Sequence, residues 1–260
     1  MPALLVARNV TKQFGGVAAV QAMDLSIDEG EMVGLIGPNG AGKTTFINLI
    51  TGMERLTTGE VSFRGVPIAN RPAYRVGQMG IARTFQVVKP FRNLSVQQNV
   101  AVGAMFGAGG ARRSSKDAFA KAAQVLGFVG MGDKLQRGAD QLTIADLKRL
   151  ELAKALAMEP RLLLLDEVMA GLHTKEIEEA MELIRKVHAS GVTILVIEHV
   201  MKAIMGLCQR IVVLHYGQKV AEGTPQEIVS NRKVIEAYLG EKYARGAGAA
   251  LKPQGLDAAR

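Results

Sequence analysis

The segment Gly37-Pro-Asn-Gly-Ala-Gly-Lys-Thr44 constrains this chain more than any other, because it fills every fixed position of the pattern G-x-x-x-x-G-K-[ST]. The apolar run Met32–Ile36 before it reads as a buried strand, and Lys43–Ile50 after it reads as a helix. A strand, a tight glycine-rich turn and a helix in that order form a phosphate cradle. The turn presents backbone N–H groups and the helix presents its positive end to the same anion. Gly37, Gly40 and Gly42 free the backbone to curl around a phosphate. Lys43 is placed to bridge the β and γ phosphates, and the Thr44 hydroxyl to ligate Mg2+. Pro38, Asn39, Ala41 and Thr45 complete the cradle, so the expected ligands are a nucleotide and Mg2+.

A second signal is Arg161-Leu-Leu-Leu-Leu-Asp-Glu167, an apolar strand that ends in two carboxylates. Alone, such a pair reads as solvated charge at a strand end. Beside a phosphate-binding loop, Asp166 is expected to hold Mg2+, directly or through water, and Glu167 to act as general base for an attacking water.

The remaining pattern is α/β. Residues 4–7, 23–27 and 32–36 read as short strands separated by Gly-Gly and Asp-Glu-Gly-Glu turns, so the chain opens as a small antiparallel β layer. From 94 to 157 the sequence is rich in Ala and Gln at helical spacing and begins with the capping-box pattern Ser95-Val-Gln-Gln98, which predicts a helical lobe. Strands are then expected at 162–165, 192–197 and 211–214. A helix over 174–188 puts Ile177, Ala180, Met181, Ile184 and Val187 on one face. This alternation predicts a mostly parallel sheet covered by helices. The expected units are 1–93 (β layer and first part of the core), 94–157 (helical lobe), 158–240 (second part of the core) and a loose Gly/Ala-rich tail at 241–260. Residues 107–115 form a Gly/Ser-rich exposed linker inside the lobe.

Composition limits the function classes. With 48% hydrophobic and 22% charged residues among 260, the chain can bury a core and is not expected to be disordered. One cysteine, Cys208, excludes an intrachain disulfide and a multi-cysteine metal site. No apolar run approaches the roughly 18 residues of a spanning helix, and the opening Met-Pro-Ala-Leu-Leu-Val-Ala lacks the basic flank and cleavage site of a secretory signal. The net charge of +8 suits either a polyanion or an acidic membrane surface.

In this order along the chain, the two nucleotide motifs, the helical lobe between them and Val196-Ile-Glu-His199 after them resemble the ATP-binding subunits of ATP-binding-cassette transporters. The resemblance implies further roles. Phe14, in Thr11-Lys-Gln-Phe-Gly-Gly, would stack on adenine; Gln86, at the end of Ala82-Arg-Thr-Phe-Gln, would sense Mg2+ and water; His199 would contact the γ phosphate. Each has an ordinary structural alternative: β-layer packing for Phe14, a solvated amide for Gln86 and a helix-start residue for His199. The blocks Ala170-Gly-Leu172, Ile197-Glu-His-Val-Met201, Arg210-Ile-Val-Val-Leu-His-Tyr-Gly217 and the ending Ala221-Glu-Gly-Thr-Pro to Tyr-Leu-Gly240 look like the branched-chain amino-acid importer branch.

The family's signature segment, usually Leu-Ser-Gly-Gly-Gln and offered to the nucleotide of an opposing subunit, aligns with Leu142-Thr-Ile-Ala-Asp146. Thr143 keeps a hydroxyl for the γ phosphate. Ala145 replaces a glycine, and Asp146 brings a carboxylate toward a polyphosphate, so the opposing site is expected to turn over slowly. The same residues also form an N-cap pattern for a helix at 147–157. Val168, His173, Val200 and Gln209 stand where the family often has proline or acidic residues.

The resemblance implies a Mg2+-dependent ATPase that powers a membrane importer for branched-chain or other hydrophobic amino acids. Its partners would be membrane permease subunits, a second ATPase subunit and, indirectly, a substrate-binding protein, and it would sit on the cytoplasmic face of the bacterial inner membrane. Two alternatives stand beside it: a cassette for lipid or lipopolysaccharide export, and a nucleic-acid-handling ATPase. The latter is disfavoured by 5% aromatics and dispersed Lys and Arg, so no nucleic-acid partner is expected.

Overall fold

The structure, a computed structural model, describes residues 3–108 and 113–239. The expected tail at 241–260 and the centre of the 107–115 linker lie outside the described residues.

The chain opens with a long hairpin, β1 (Ala3–Phe14) and β2 (Val17–Asp28), whose turn is Gly15-Gly16 with Gly15 at φ 57°. Sequence periodicity predicts only short strands here. The alternation is broken at Asn9 and Ala22, where φ is 48° and 47° and the register shifts. Each break is a bulge that the strand pairing survives. Asp24 holds the first break by accepting from the Asn9 backbone N–H at 2.7 Å. β3 (Met32–Ile36) runs into α1 (Lys43–Ile50), as the phosphate-loop pattern requires. β4 (Thr58–Phe63) and β5 (Val66–Pro67) extend the hairpin into a four-stranded antiparallel sheet of order β2-β1-β4-β5.

After α2 (Ala73–Gln78), the short strand β6 (Ile81–Arg83) enters the second sheet. The helical lobe follows: α3 (Val96–Phe106), α4 (Ser115–Phe128) and α5 (Ile144–Ala157). The Ser95 capping box forms in full. Its hydroxyl accepts from Gln98 N at 3.2 Å and the Gln98 amide oxygen accepts from Ser95 N at 2.8 Å. The chain returns through β7 (Leu162–Asp166), α6 (Thr174–Ala189), β8 (Thr193–Ile197), α7 (Met201–Leu207), β9 (Arg210–His215), β10 (Gln218–Gly223), α8 (Pro225–Ser230) and α9 (Arg232–Leu239). The six-stranded sheet has the order β10-β9-β3-β8-β7-β6, parallel except for the β9–β10 hairpin.

Strand parity divides the core in two. Leu163, Leu165, Ile194, Val196, Ile211 and Val213 face a core shared with α6, α7 and the helical lobe. Their neighbours Leu162, Leu164, Leu195, Ile197, Val212 and Leu214 face α1 and the antiparallel sheet. Covering both faces explains why these strands read as continuous apolar runs rather than as alternation. The C-terminal ends of β3, β7 and β8 therefore emerge side by side, and the loops that follow them build the site.

Candidate active site

The phosphate loop is shaped by contacts with its own protein as well as by any ligand. A Cβ on Gly37 would lie 2.1 Å from the Leu214 carbonyl oxygen, and one on Gly42 2.4 Å from that of Ala19. Both have positive φ, at 152° and 101°, so any side chain at Gly42 meets a clash and a strained backbone together. The loop is thus clamped between the end of β9 and β2. Lys43 is buried, and its Nζ donates to the carbonyls of Gly37 at 2.6 Å and Pro38 at 3.1 Å. Burial pushes its pKa down, against the opposing pull of Glu167 and Asp166. An ammonium held this way lacks an anion, and an incoming phosphate supplies one. Thr44 is exposed at the start of α1, with its hydroxyl clear of the core.

Asp166 ends β7 at 3% exposure. Its Oδ2 accepts from Arg83 Nη2 at 2.6 Å, and its backbone N–H donates to the Thr84 hydroxyl at 3.1 Å. Arg83 also donates from Nη1 to Asn48 of α1 at 2.6 Å, so one guanidinium ties β6, β7 and α1 together. Sequence reasoning did not single out Arg83. No local signal marks it, because its partner Asp166 lies 83 residues away in the chain and is brought beside it only by the pairing of β6 with β7.

Glu167 follows at φ 50°, a conformation that costs a non-glycine residue about 1–3 kcal/mol and concentrates at functional sites. Its N–H donates to Ile197 O at 2.8 Å, which locks the turn against β8. The carboxylate is gripped from both sides: Gln86 Nε2 donates to Oε2 at 2.5 Å, and His199 Nε2 lies 2.7 Å from Oε1. The three polar residues assigned from separate segments thus form one cluster. Gln86 stands beyond the end of β6 rather than closing that strand. Its amide nitrogen makes the bond to Glu167, so the amide oxygen, a donor type that hard cations take, is not used in that contact.

Two neighbours were missed. Glu198 is 2% exposed and accepts from Met169 N at 2.8 Å, fixing the loop after Glu167. Burial, reinforced by Glu167, pushes its carboxyl up to about 7 despite bonds from the Met169 and His199 backbones and the charge of Lys148. Tyr238 of α9 hydrogen bonds with the backbone at Gly37, while burial pushes its phenol up to about 12. Nothing in a lone Tyr near the chain end signals contact with the phosphate loop.

Phe14 and the signature segment stand apart from this cluster. Phe14 ends β1 at 48% exposure, its ring flanked by Lys12 Nζ at 4.6 Å from the centroid and open to solvent. Thr143 caps α5 by accepting from Asp146 N at 3.2 Å, so the N-cap pattern is real. Asp146 is 8% exposed and does not present a bare charge, because Lys134 Nζ donates to it at 2.6 Å. Burial alone would raise its pKa. The Lys134 bond and charge, with Thr143, hold it below the usual carboxylate range. Among the departures from family habit, Gln209 pairs with β3 by accepting from Met32 N at 2.7 Å, and His173 N donates to Glu176 at 2.8 Å.

A nucleotide-binding cassette is the class that this fold and site define. A family model described as ABC transporter matches residues 20–170, and one described as branched-chain amino acid ATP-binding cassette transporter matches residues 218–244. Over 250 residues, the chain is 39% identical to the high-affinity branched-chain amino acid transport ATP-binding protein LivG of Salmonella typhimurium, covering 92% of this chain and 98% of that one. It is 37% identical to BraF of Pseudomonas aeruginosa, a protein of the same description, with the same coverage. Among solved structures, the ADP conformation of an ATP-binding cassette of an ABC transporter superposes with a TM-score of 0.84 at 28% identity, covering 93% of this chain and all of that one. The dimeric, post-hydrolysis cassette bound to ADP and phosphate superposes at 0.76 and 27% identity, covering 85% and 98%. The chain belongs to the ABC transporter family. It is an ATP-binding, ATP-hydrolysing subunit that works with membrane permeases and is membrane-associated through them. No helix among the described residues is long and apolar enough to cross a membrane.

Proposed function

We propose that this subunit powers uptake of branched-chain or other hydrophobic amino acids from the cytoplasmic face of a bacterial inner membrane. The reading pairs it with permease subunits, a second ATPase subunit and, indirectly, a substrate-binding protein. The import assignment rests on relatives of that description along nearly the whole chain. The chemical assignment rests on one observation: Glu167 is held between Gln86 and His199 beside the Lys43 loop.

In this reading the adenine stacks on Phe14 and the phosphates enter the loop from Gly37 to Thr45, where Lys43 exchanges two carbonyls for phosphate oxygens. Thr44, the Gln86 amide oxygen and Asp166, directly or through water, would hold Mg2+. Their mixed hydroxyl, amide and carboxylate oxygens suit a hard cation that keeps waters and phosphates as its other ligands. A Mg2+ ion bound there would supply charge neutralisation for the phosphates. Arg83 aligns Asp166 by donating to its Oδ2. Glu167 orients the attacking water and takes its proton, and His199 moves its ring nitrogen from Glu167 to the γ phosphate. Thr143 and Ala145 face the nucleotide of the opposing subunit. ATP binding favours the closed pair and hydrolysis releases it, so the work comes from differential affinity for two states. Replacing Glu167 with Gln keeps the size of the side chain and removes the base. Turnover should fall at least a hundredfold with ATP affinity retained, which lies within the range of general-base contributions. Hydrolysis that survives in E167Q would reassign the base.

A further inference from the structure

Lys148 lies in α5, the helix that begins at the signature segment, yet its ammonium ends in the catalytic cluster. Nζ donates to the backbone carbonyl of Gln86 at 3.0 Å and to that of Glu167 at 3.1 Å. The side chains of those two residues hydrogen bond to each other at 2.5 Å, so one cation on the helical lobe closes a ring around the two loops. The neighbouring cations of α5 each pair with a carboxylate: Arg149 with Glu179, and Lys154 with Glu151 while it also donates to the Lys89 carbonyl at 3.4 Å. Lys148 instead spends its donors on two carbonyls at a partly buried position, where burial works against its charge. The carboxylates of Glu198, Glu167 and Asp166 retain the charge there without taking the ammonium's hydrogen bonds away from the carbonyls. One of the carbonyls belongs to Glu167, whose positive φ leaves its peptide in an orientation that neighbours must hold.

We propose that Lys148 is a positioning residue that couples the start of α5 to the reacting groups, by fixing the spacing of Gln86 and Glu167 through their carbonyls. The inference rests on the assignment of Gln86 and Glu167 to the chemistry. It adds a direct path from the segment offered to an opposing nucleotide, Thr143 to Asp146, along α5 to this subunit's own base. A displacement at the first turn of α5 moves Lys148 with the helix, and Lys148 moves the carbonyl of Glu167. Positioning errors of about 1 Å cost up to a hundredfold in rate while leaving remote binding contacts intact.

The test compares the full-length chain with K148M, K148R and E167Q, measuring ATP affinity, kcat and melting temperature. In K148M, kcat should fall about tenfold or more with ATP affinity within about twofold, and K148R should recover most of it because its fork can still reach two carbonyls. Wild-type kcat in K148M overturns the proposal. So does a K148M chain that loses ATP affinity and melting temperature in step with kcat, since that makes Lys148 a staple of the fold. Failure of the underlying site reading is distinguishable, because E167Q would then turn over ATP normally whatever K148M does.

Discussion

At the residue scale, the site is built from buried charges that each have a named partner, and Glu198 is the costly one. Burial lifts its carboxyl from 4.5 to about 7, so the folded state holds a proton that the unfolded chain has already released. The native state therefore binds more protons between those values, and stability falls as pH rises from 4.5 to 7, then levels off. Ionised Glu198 costs about 3 kcal/mol above pH 7 at roughly 1.4 kcal/mol per pKa unit. The stability advantage of E198Q over the parent should accordingly grow by about 2–3 kcal/mol between pH 5 and pH 8 in urea titrations. A difference that stays flat over that range removes the idea. Arg83 carries the same lesson in the opposite sense: its pair with Asp166 is nearly as buried, and losing either partner strands the other. The types and order of Lys43, Asp166 and Glu167 were legible in the sequence because their chemistry is local to a motif. Arg83, Lys148 and Glu198 were not, because what matters about them is where distant strands and helices bring their side chains.

Elements carry the second set of constraints. The phosphate loop, α1 and the α5 cap were readable, since turn glycines, a strand before a helix and a Thr N-cap are short-range signals. β1 and β2 were under-read because their bulges interrupt alternation. β4 to β6 were missed because they are short, and the start of β4 is exposed and polar. At the first turn of α5, the structure separates two substitutions that look alike in sequence. Asp146 is neutralised by Lys134 and turned inward, whereas Ala145 differs from the family's glycine by a Cβ on the segment that the proposed function turns toward an opposing nucleotide. D146Q should therefore destabilise the chain by about 1.5–3 kcal/mol, the range for a hydrogen bond to a charged group, without raising turnover. A145G should raise turnover of the assembled transporter. Denaturation midpoints and steady-state hydrolysis of both variants check this, and faster turnover in D146Q would return the charge to the active-site account.

The whole molecule is two cores on either side of one parallel sheet, and Cys208 reports on the one that includes the helical lobe. It is 6% exposed, with its sulfur 3.2 Å from where a Cβ on Gly34 would sit, and burial pushes its thiol up to about 12. Because the thiolate is the reactive form, alkylation in the native state requires opening of that core. If opening is global, ATP at about a hundred times its Kd should slow labelling roughly a hundredfold. Labelling that ignores nucleotide would instead place a local opening at α7.

What the sequence determined by itself was the kind of chemistry and the class of sheet. A phosphate loop needs glycines, a lysine and a helix start in a fixed local order, and buried parallel strands need unbroken apolar runs. Only the tertiary structure decided how the groups act together. It set Glu167 between Gln86 and His199, gave Asp166 to Arg83, turned Asp146 toward Lys134 and reached Lys148 across from the lobe. Those relations depend on strand order and on which helix packs over which strand end, and side-chain electrostatics at such distances leave no periodic trace along the chain.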